Sequence, residues 1–85
     1  MQVLVPSALR SYTGKDWVQA HGATLAALLA DLDAQFPGLR FRVVDEHGRV
    51  RRHIRFFHQG RALTTLDAPL DAHHPLHMVQ ALSGG

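Results

Sequence analysis

Three places in this 85-residue chain carry residues that could do chemistry. The first is the final pair, Gly84 and Gly85. Glycine has no Cβ, so it enters narrow channels and takes backbone angles closed to other residues. A glycine at the very end offers an unhindered carboxylate to another protein's active site. The same pair is also what an ordinary loose terminus looks like, so the rest of the chain must decide. The second place holds His73, His74 and His77, with Asp71 nearby. Imidazoles bind metals, but here the spacing is loose, Asp71 is the one carboxylate at hand, and Pro75 divides the set between a loop and a strand. These read as a solvent-facing turn, and no metal is expected. The third is the basic run Arg49, Arg51, Arg52, His53 and Arg55. Such a run meets phosphates when aromatics are interleaved for stacking. Only Phe56 and Phe57 adjoin it, and Phe56 is wanted by the core. It therefore reads as a charged strand end, or as a surface for an acidic groove on a partner, and no nucleic-acid partner is expected.

Composition removes several classes of function. There is no cysteine, which excludes disulfides, thiolate metal sites and cysteine nucleophiles together. No Ser-His-Asp arrangement, phosphate-cradling loop or HExxH motif occurs, so the chain does not read as an enzyme. A content of 46% hydrophobic and 19% charged residues suits a folded domain rather than a disordered one. No apolar run approaches the ~20 residues a membrane span needs. The first residues lack the basic stretch and cleavage site of a secretory leader. With no cysteine to oxidise, a cytoplasmic setting is expected, without membrane contact. The formal charge is +2 with seven neutral histidines.

The elements that must position these groups follow from periodicity. Residues 2–6 alternate, with Met1, Val3 and Val5 on one face and Leu4 on the other. A connection over 7–14 leads to a second strand over 15–20, in which Val18 and Ala20 share a face. Two strands this close together predict an antiparallel hairpin. Trp17 reads as a packing residue at the sheet margin. Thr24 reads as a helix N-cap. Leu25, Leu28, Leu29, Leu32 and Phe36 then form one apolar stripe at helical spacing, stopped by Pro37 and Gly38. Residues 39–45 are ambiguous between a helical turn and an extended segment, and 45–48 form a turn. A strand over 52–58 follows, with Ile54 and Phe56 inward and His58 as a satisfied, partly buried histidine at its end. A turn at 59–61, a short edge strand over 62–66 and a loop over 67–71 lead to the last strand, 76–81. One helix with one apolar stripe covers one face of one sheet, which is an α+β two-layer domain.

In this order the segments resemble the β-grasp, ubiquitin-like sulfur carriers of the MoaD/ThiS family. Gly22-Ala23-Thr24-Leu25 through Phe36-Pro37-Gly38-Leu39 is similar to that family's GATV…YPGL helix block. Residues 45–52 are similar to its DEDGRLRR turn, and Leu82-Ser83-Gly84-Gly85 to its terminal VAGG. The segment 8–14 is similar to a subgroup near the carriers used for cysteine and secondary-metabolite sulfur. The resemblance implies a mixed sheet of four to five strands with one main helix on one face. It implies a β-grasp domain over 1–81 and a flexible tail over 82–85. The chain departs from the family at 72–75, where an acidic Asp-Gly-Asp-like turn is usual, and at Gln59 and Gln80.

The resemblance also implies the chemistry. An E1-like adenylyltransferase would activate the Gly85 carboxylate with ATP, and a sulfur donor would convert it to a thiocarboxylate. A second, sulfur-accepting biosynthetic enzyme, of a molybdopterin-, thiamine- or cysteine-type pathway, would consume it. Gly84 would accompany Gly85 into both active sites, with Leu82 and Ser83 at the entry. The chain would bind no cofactor itself, ATP being used by its partner. If Val3, Ile54, Phe56, Leu76 and Met78 face the helix, then Leu4, Phe57, His77 and Val79 face outward as an apolar partner surface. Two other readings stay open: a ubiquitin-like modifier joined through Gly85 to lysines, and a binding module whose tail is incidental.

Overall fold

A computed structural model describes residues 1–81. The chain runs β1 (Gln2–Leu4), a 3₁₀ turn (Ser7–Leu9), α1 (Arg10–Thr13), β2 (Trp17–Gln19), α2 (Leu25–Gln35), α3 (Leu39–Val43), β3 (Ile54–His58), β4 (Arg61–Leu63) and β5 (Leu76–Gln80). The five strands form one sheet in the order β2-β1-β5-β3-β4. β5 is therefore central: it runs parallel to β1 on one side and antiparallel to β3 on the other. The most protected strand of the sheet is the one that leads into the final residues.

Alternation along each strand sends one set of side chains inward. Val3, Val18, Ile54, Phe56, Leu76 and Met78 are buried and meet Leu25, Leu28, Leu29 and Leu32 of α2. The α2 stripe forms where its spacing predicts. Thr24 caps it, its Oγ1 accepting from the Ala27 N–H at 3.2 Å. The start of α2 is also fixed from outside, because Leu25 and Ala26 donate to the carbonyls of Ala68 and Leu66. Gly22 lies so close beneath this turn that a Cβ there would stand 2.3 Å from the Leu28 nitrogen.

The edge strand expected over 62–66 is shorter and begins earlier, as Arg61–Leu63, and two segments differ in kind from the sequence expectation. The connection over 7–14 is helical, a 3₁₀ turn continued by α1, and it closes on Gly14 at φ +74°. It buries only Leu9 and Thr13, too few residues to print a stripe in the sequence. The ambiguous segment after Gly38 is α3, whose Leu39 and Val43 sit one turn apart and are both buried. Asp33 of α2 decides its direction: its Oδ1 accepts from the N–H groups of Gly38 and Arg40, both at 3.1 Å. The single main helix is thus accompanied by two short ones. The β3–β4 connection is a two-residue turn in which Gln59 and Gly60 both have positive φ, at 53° and 79°. That pair of angles is the type I′ geometry that matches the twist of a hairpin.

Candidate functional site

The sheet face away from the helices carries a continuous row across all five strands. Register places Trp17 beside Leu4, Leu4 beside His77, His77 beside Phe57, and Phe57 beside Ala62. Val79 lies one step further along β5, beside Arg55. Leu4, Phe57, His77 and Val79 are therefore together on the open face. Phe57 is 36% exposed, while the other three are half-buried by their neighbours. Trp17 stands at the sheet margin, on the edge strand β2, and the strand parity that takes Val18 inward turns it to the open face. It is 43% exposed, and its ring meets the His77 ring edge-on at 5.8 Å between centroids. Ala62 also joins the row, a position the sequence reading did not single out.

An open groove of about 660 Å³ continues this face past Trp17, walled on the far side by His73, His74 and Pro75. The turn that forms that wall is held by His58, which is 4% exposed at the inner end of β3. Its Nε2 accepts from the Asp71 N–H at 2.9 Å, and its Nδ1 lies 3.0 Å from the Pro75 carbonyl. One neutral tautomer, with the proton on Nδ1, satisfies both partners. His58 is thus a staple between the sheet and the turn that precedes β5. His73 and His74 stand on the surface of that turn. His74 packs edge-on against His58 and lies 3.8 Å from Asp71 Oδ2. Among the described residues, no group of three or more His, Cys, Asp or Glu could hold a metal.

Two carboxylates organise turns around this frame. Asp71 Oδ1 accepts from the His73 N–H, and Asp45 Oδ1 accepts from His47 and Arg49 N–H groups. The His73 backbone bond holds the Asp71 carboxyl below the ordinary value of 3.8, and the Arg49 backbone bond does the same for Asp45. A depressed folded value means the ionised form is favoured by folding. This contribution is complete above the unfolded value and is lost as pH falls through the folded one. Urea unfolding of the parent protein between about pH 5 and about pH 3 should therefore show a steeper loss of stability than that of Asp45→Asn/Asp71→Asn. Parallel curves for the two proteins would contradict it.

β5 ends at Gln80, and the Ala81 N–H donates to the His53 carbonyl at 2.7 Å. This bond fixes the point and direction at which the chain leaves the sheet. Leu82, Ser83, Gly84 and Gly85 lie outside the described residues.

No protein-family model matches the chain, and no curated protein does. Solved structures do. A chain of the Amycolatopsis orientalis BexX/CysO complex superposes with a TM-score of 0.88 at 27% identity, over 99% of this chain and 98% of that one. Mycobacterium tuberculosis CysO superposes at 0.89 and 25%, over 95% and 98%. Haloferax volcanii SAMP1, a small archaeal modifier protein, superposes at 0.77 and 27%, over 100% and 98%. The fold is the ubiquitin-like β-grasp. The β-grasp architecture and the MoaD/ThiS resemblance carried by the helix block, the 45–52 turn and the last strand are borne out together. The two CysO neighbours agree with the subgroup to which segment 8–14 is similar. Among the described residues of this β-grasp domain, no helix is long and apolar enough to cross a membrane.

Proposed function

We propose that this protein is a sulfur carrier whose working group is the Gly85 carboxylate. The observation that carries this reading is the end-to-end likeness to CysO, including a chain of a complex with BexX. In this reading the domain is a protein-sized cosubstrate and not a catalyst. An E1-like enzyme supplies ATP. The Gly85 carboxylate oxygen attacks the α-phosphorus, pyrophosphate leaves, and an acyl-adenylate forms. The terminal sulfur of a donor persulfide then attacks the acyl carbon and AMP leaves. A second thiol of the donor cleaves the resulting acyl disulfide, leaving the thiocarboxylate on Gly85 and a disulfide on the donor. A sulfur-accepting biosynthetic enzyme takes the sulfur from there. The setting is the cytoplasm, where ATP and reduced thiols are available. The carrier needs no cofactor of its own, since the energy comes from the partner's ATP.

Gly84 and Gly85 serve this chemistry because an extended tail without side chains fits two different active sites. Leu82 and Ser83 line the entry, and the Trp17–Leu4–His77–Phe57 row with Val79 docks on the activating enzyme. Phe57→Asp should raise the Kd for that enzyme by at least about tenfold, with the melting temperature nearly unchanged because Phe57 is outside the core. Equal affinity by titration calorimetry would remove the face from the account. Adding one residue beyond Gly85 tests the carrier chemistry itself: the extended protein should gain no sulfur on incubation with the activating enzyme, ATP and a sulfur donor.

A second reading is favoured by the likeness to SAMP1, a modifier protein. There the activated Gly85 acylates lysines of other proteins. Branched peptides carrying the Gly84-Gly85 remnant in cell digests would establish it, and their absence alongside a thiocarboxylate would favour the carrier.

A further inference from the structure

The face of the molecule from which β5 departs carries a feature that neither the sheet face nor the tail chemistry uses. Six of the nine lysines and arginines fall within residues 40–55: Arg40, Arg42, Arg49, Arg51, Arg52 and Arg55. Among the described residues the one arginine in an ion pair is Arg10, with Asp16, so none of these six is neutralised by a carboxylate there. Arg55 is tied to the backbone, its Nη1 donating to the Arg52 and Ile54 carbonyls, and Arg51 is held by both a hydrogen bond and a ring. The Arg51 Nε–H donates to the Phe41 carbonyl at 2.8 Å, and its guanidinium carbon lies 4.7 Å from the centroid of the Phe41 ring. A guanidinium anchored through Nε and by cation–π stacking has lost most of its rotamer freedom in advance. Among the described residues, neither terminal nitrogen of Arg51 has a hydrogen-bond partner.

Arg51 borders an open pocket of about 330 Å³ that also takes in Leu9, Phe41, Arg42, His53 and Gln80. Its lining mixes the apolar Leu9 and Phe41 with two arginines and the polar His53 and Gln80. It lies beside Gln80 and His53, the residues that set the exit of the chain from β5. The chemistry it fits is a single carboxylate on a short apolar stem. The methylenes cover Leu9 and Phe41 while the oxygens take a bidentate bond from Arg51. A nucleotide fits less well, because the volume is at the small end for a ligand site.

We propose that the Arg51 pocket is a recognition subsite for an acidic side chain, a glutamate or aspartate, at the mouth of the enzyme that receives the tail. The proposal rests on the carrier reading above. From Ala81 to Gly85 an extended chain spans roughly 13 Å. The subsite therefore grips the lip of the partner while the reacting carboxylate lies at its centre, and Arg51 is a positioning residue with no contact to the reacting atoms. It sets which enzyme accepts the tail.

The test has two arms. In the first, the isotopically labelled protein is titrated with N-acetyl-glutamate methylamide, the matching glutamine compound and inorganic phosphate, following the Arg51 Nε–Hε signal. That signal, together with the Gln80 amide, should move with the glutamate compound, stay still with glutamine, and stay still with glutamate in Arg51→Gln. Movement with phosphate alone, or with none of the three, overturns the proposal. In the second arm, adenylation of Arg51→Gln by the activating enzyme should show KM raised about tenfold with kcat unchanged, and Arg51→Lys should recover only part of the loss. Wild-type KM in Arg51→Gln overturns the proposal while leaving the carrier reading intact. Failure of the unaltered protein to be adenylated at all overturns the carrier reading instead.

Discussion

Gly22→Ala is expected to destabilise the domain by more than about 3 kcal/mol. For a domain of this size that is a fall in melting temperature of roughly 12 °C or more. The reason is steric and has no soft exit. A Cβ on Gly22 would stand 2.3 Å from the Leu28 nitrogen, 2.6 Å from its Cα and 2.8 Å from the Ala27 carbonyl carbon. All three are backbone atoms of α2, so no side chain can rotate away. Nor can the helix retreat. Its first turn is tied on the other side, where Leu25 and Ala26 donate to Ala68 and Leu66, and Leu70 donates to Ala23. Moving it would also lift Leu25, Leu28, Leu29 and Leu32 off the sheet. Thermal and urea unfolding of the variant would decide the matter, and a loss below about 1 kcal/mol would contradict the close approach.

His58→Ala is the second large effect, expected at about 3 kcal/mol. Removing the ring leaves a void at the inner end of β3. It also strips the Asp71 N–H of its acceptor and the Pro75 carbonyl of its donor. An orphaned buried polar group costs ~1–3 kcal/mol, and the void adds a packing loss. The damage should be local as well as global. Amide hydrogen exchange at Asp71 should lose its protection more than exchange at the β3–β5 ladder does. Uniform loss across the sheet, or none at Asp71, would show that His58 is a core filler and not the staple of that turn.

Most of the frame was legible in the sequence because most of it is periodic. The α2 stripe, the Thr24 cap, the alternation of β1, β3 and β5, and the buried His58 all follow from spacing and side-chain chemistry. The helical turns at Ser7–Leu9 and Arg10–Thr13 do not, since an element that buries two residues has no period to read. The α3 turn depends on Asp33 reaching across to two N–H groups, a contact five and seven residues away in the chain. Trp17 lies at the sheet margin as its position suggests, and the parity of Val18 turns it to the open face. The Arg51–Phe41 stack joins α3 to the segment before β3, and no spacing rule connects those two residues.

The site divides the same way. The outward row on the sheet could be read from alternation once the hairpin was assigned, while its extension by Trp17 and Ala62 required the register. The end of the chain was singled out by residue type alone, and what the structure adds is the central strand that leads into it.

The most direct measurement is the intact mass of the protein after incubation with its activating enzyme, ATP and a persulfide donor. The carrier account predicts a species heavier by the difference between one sulfur and one oxygen, with fragment ions placing the change on Gly85. An unchanged mass, under conditions in which the enzyme forms the Gly85 adenylate, would contradict it.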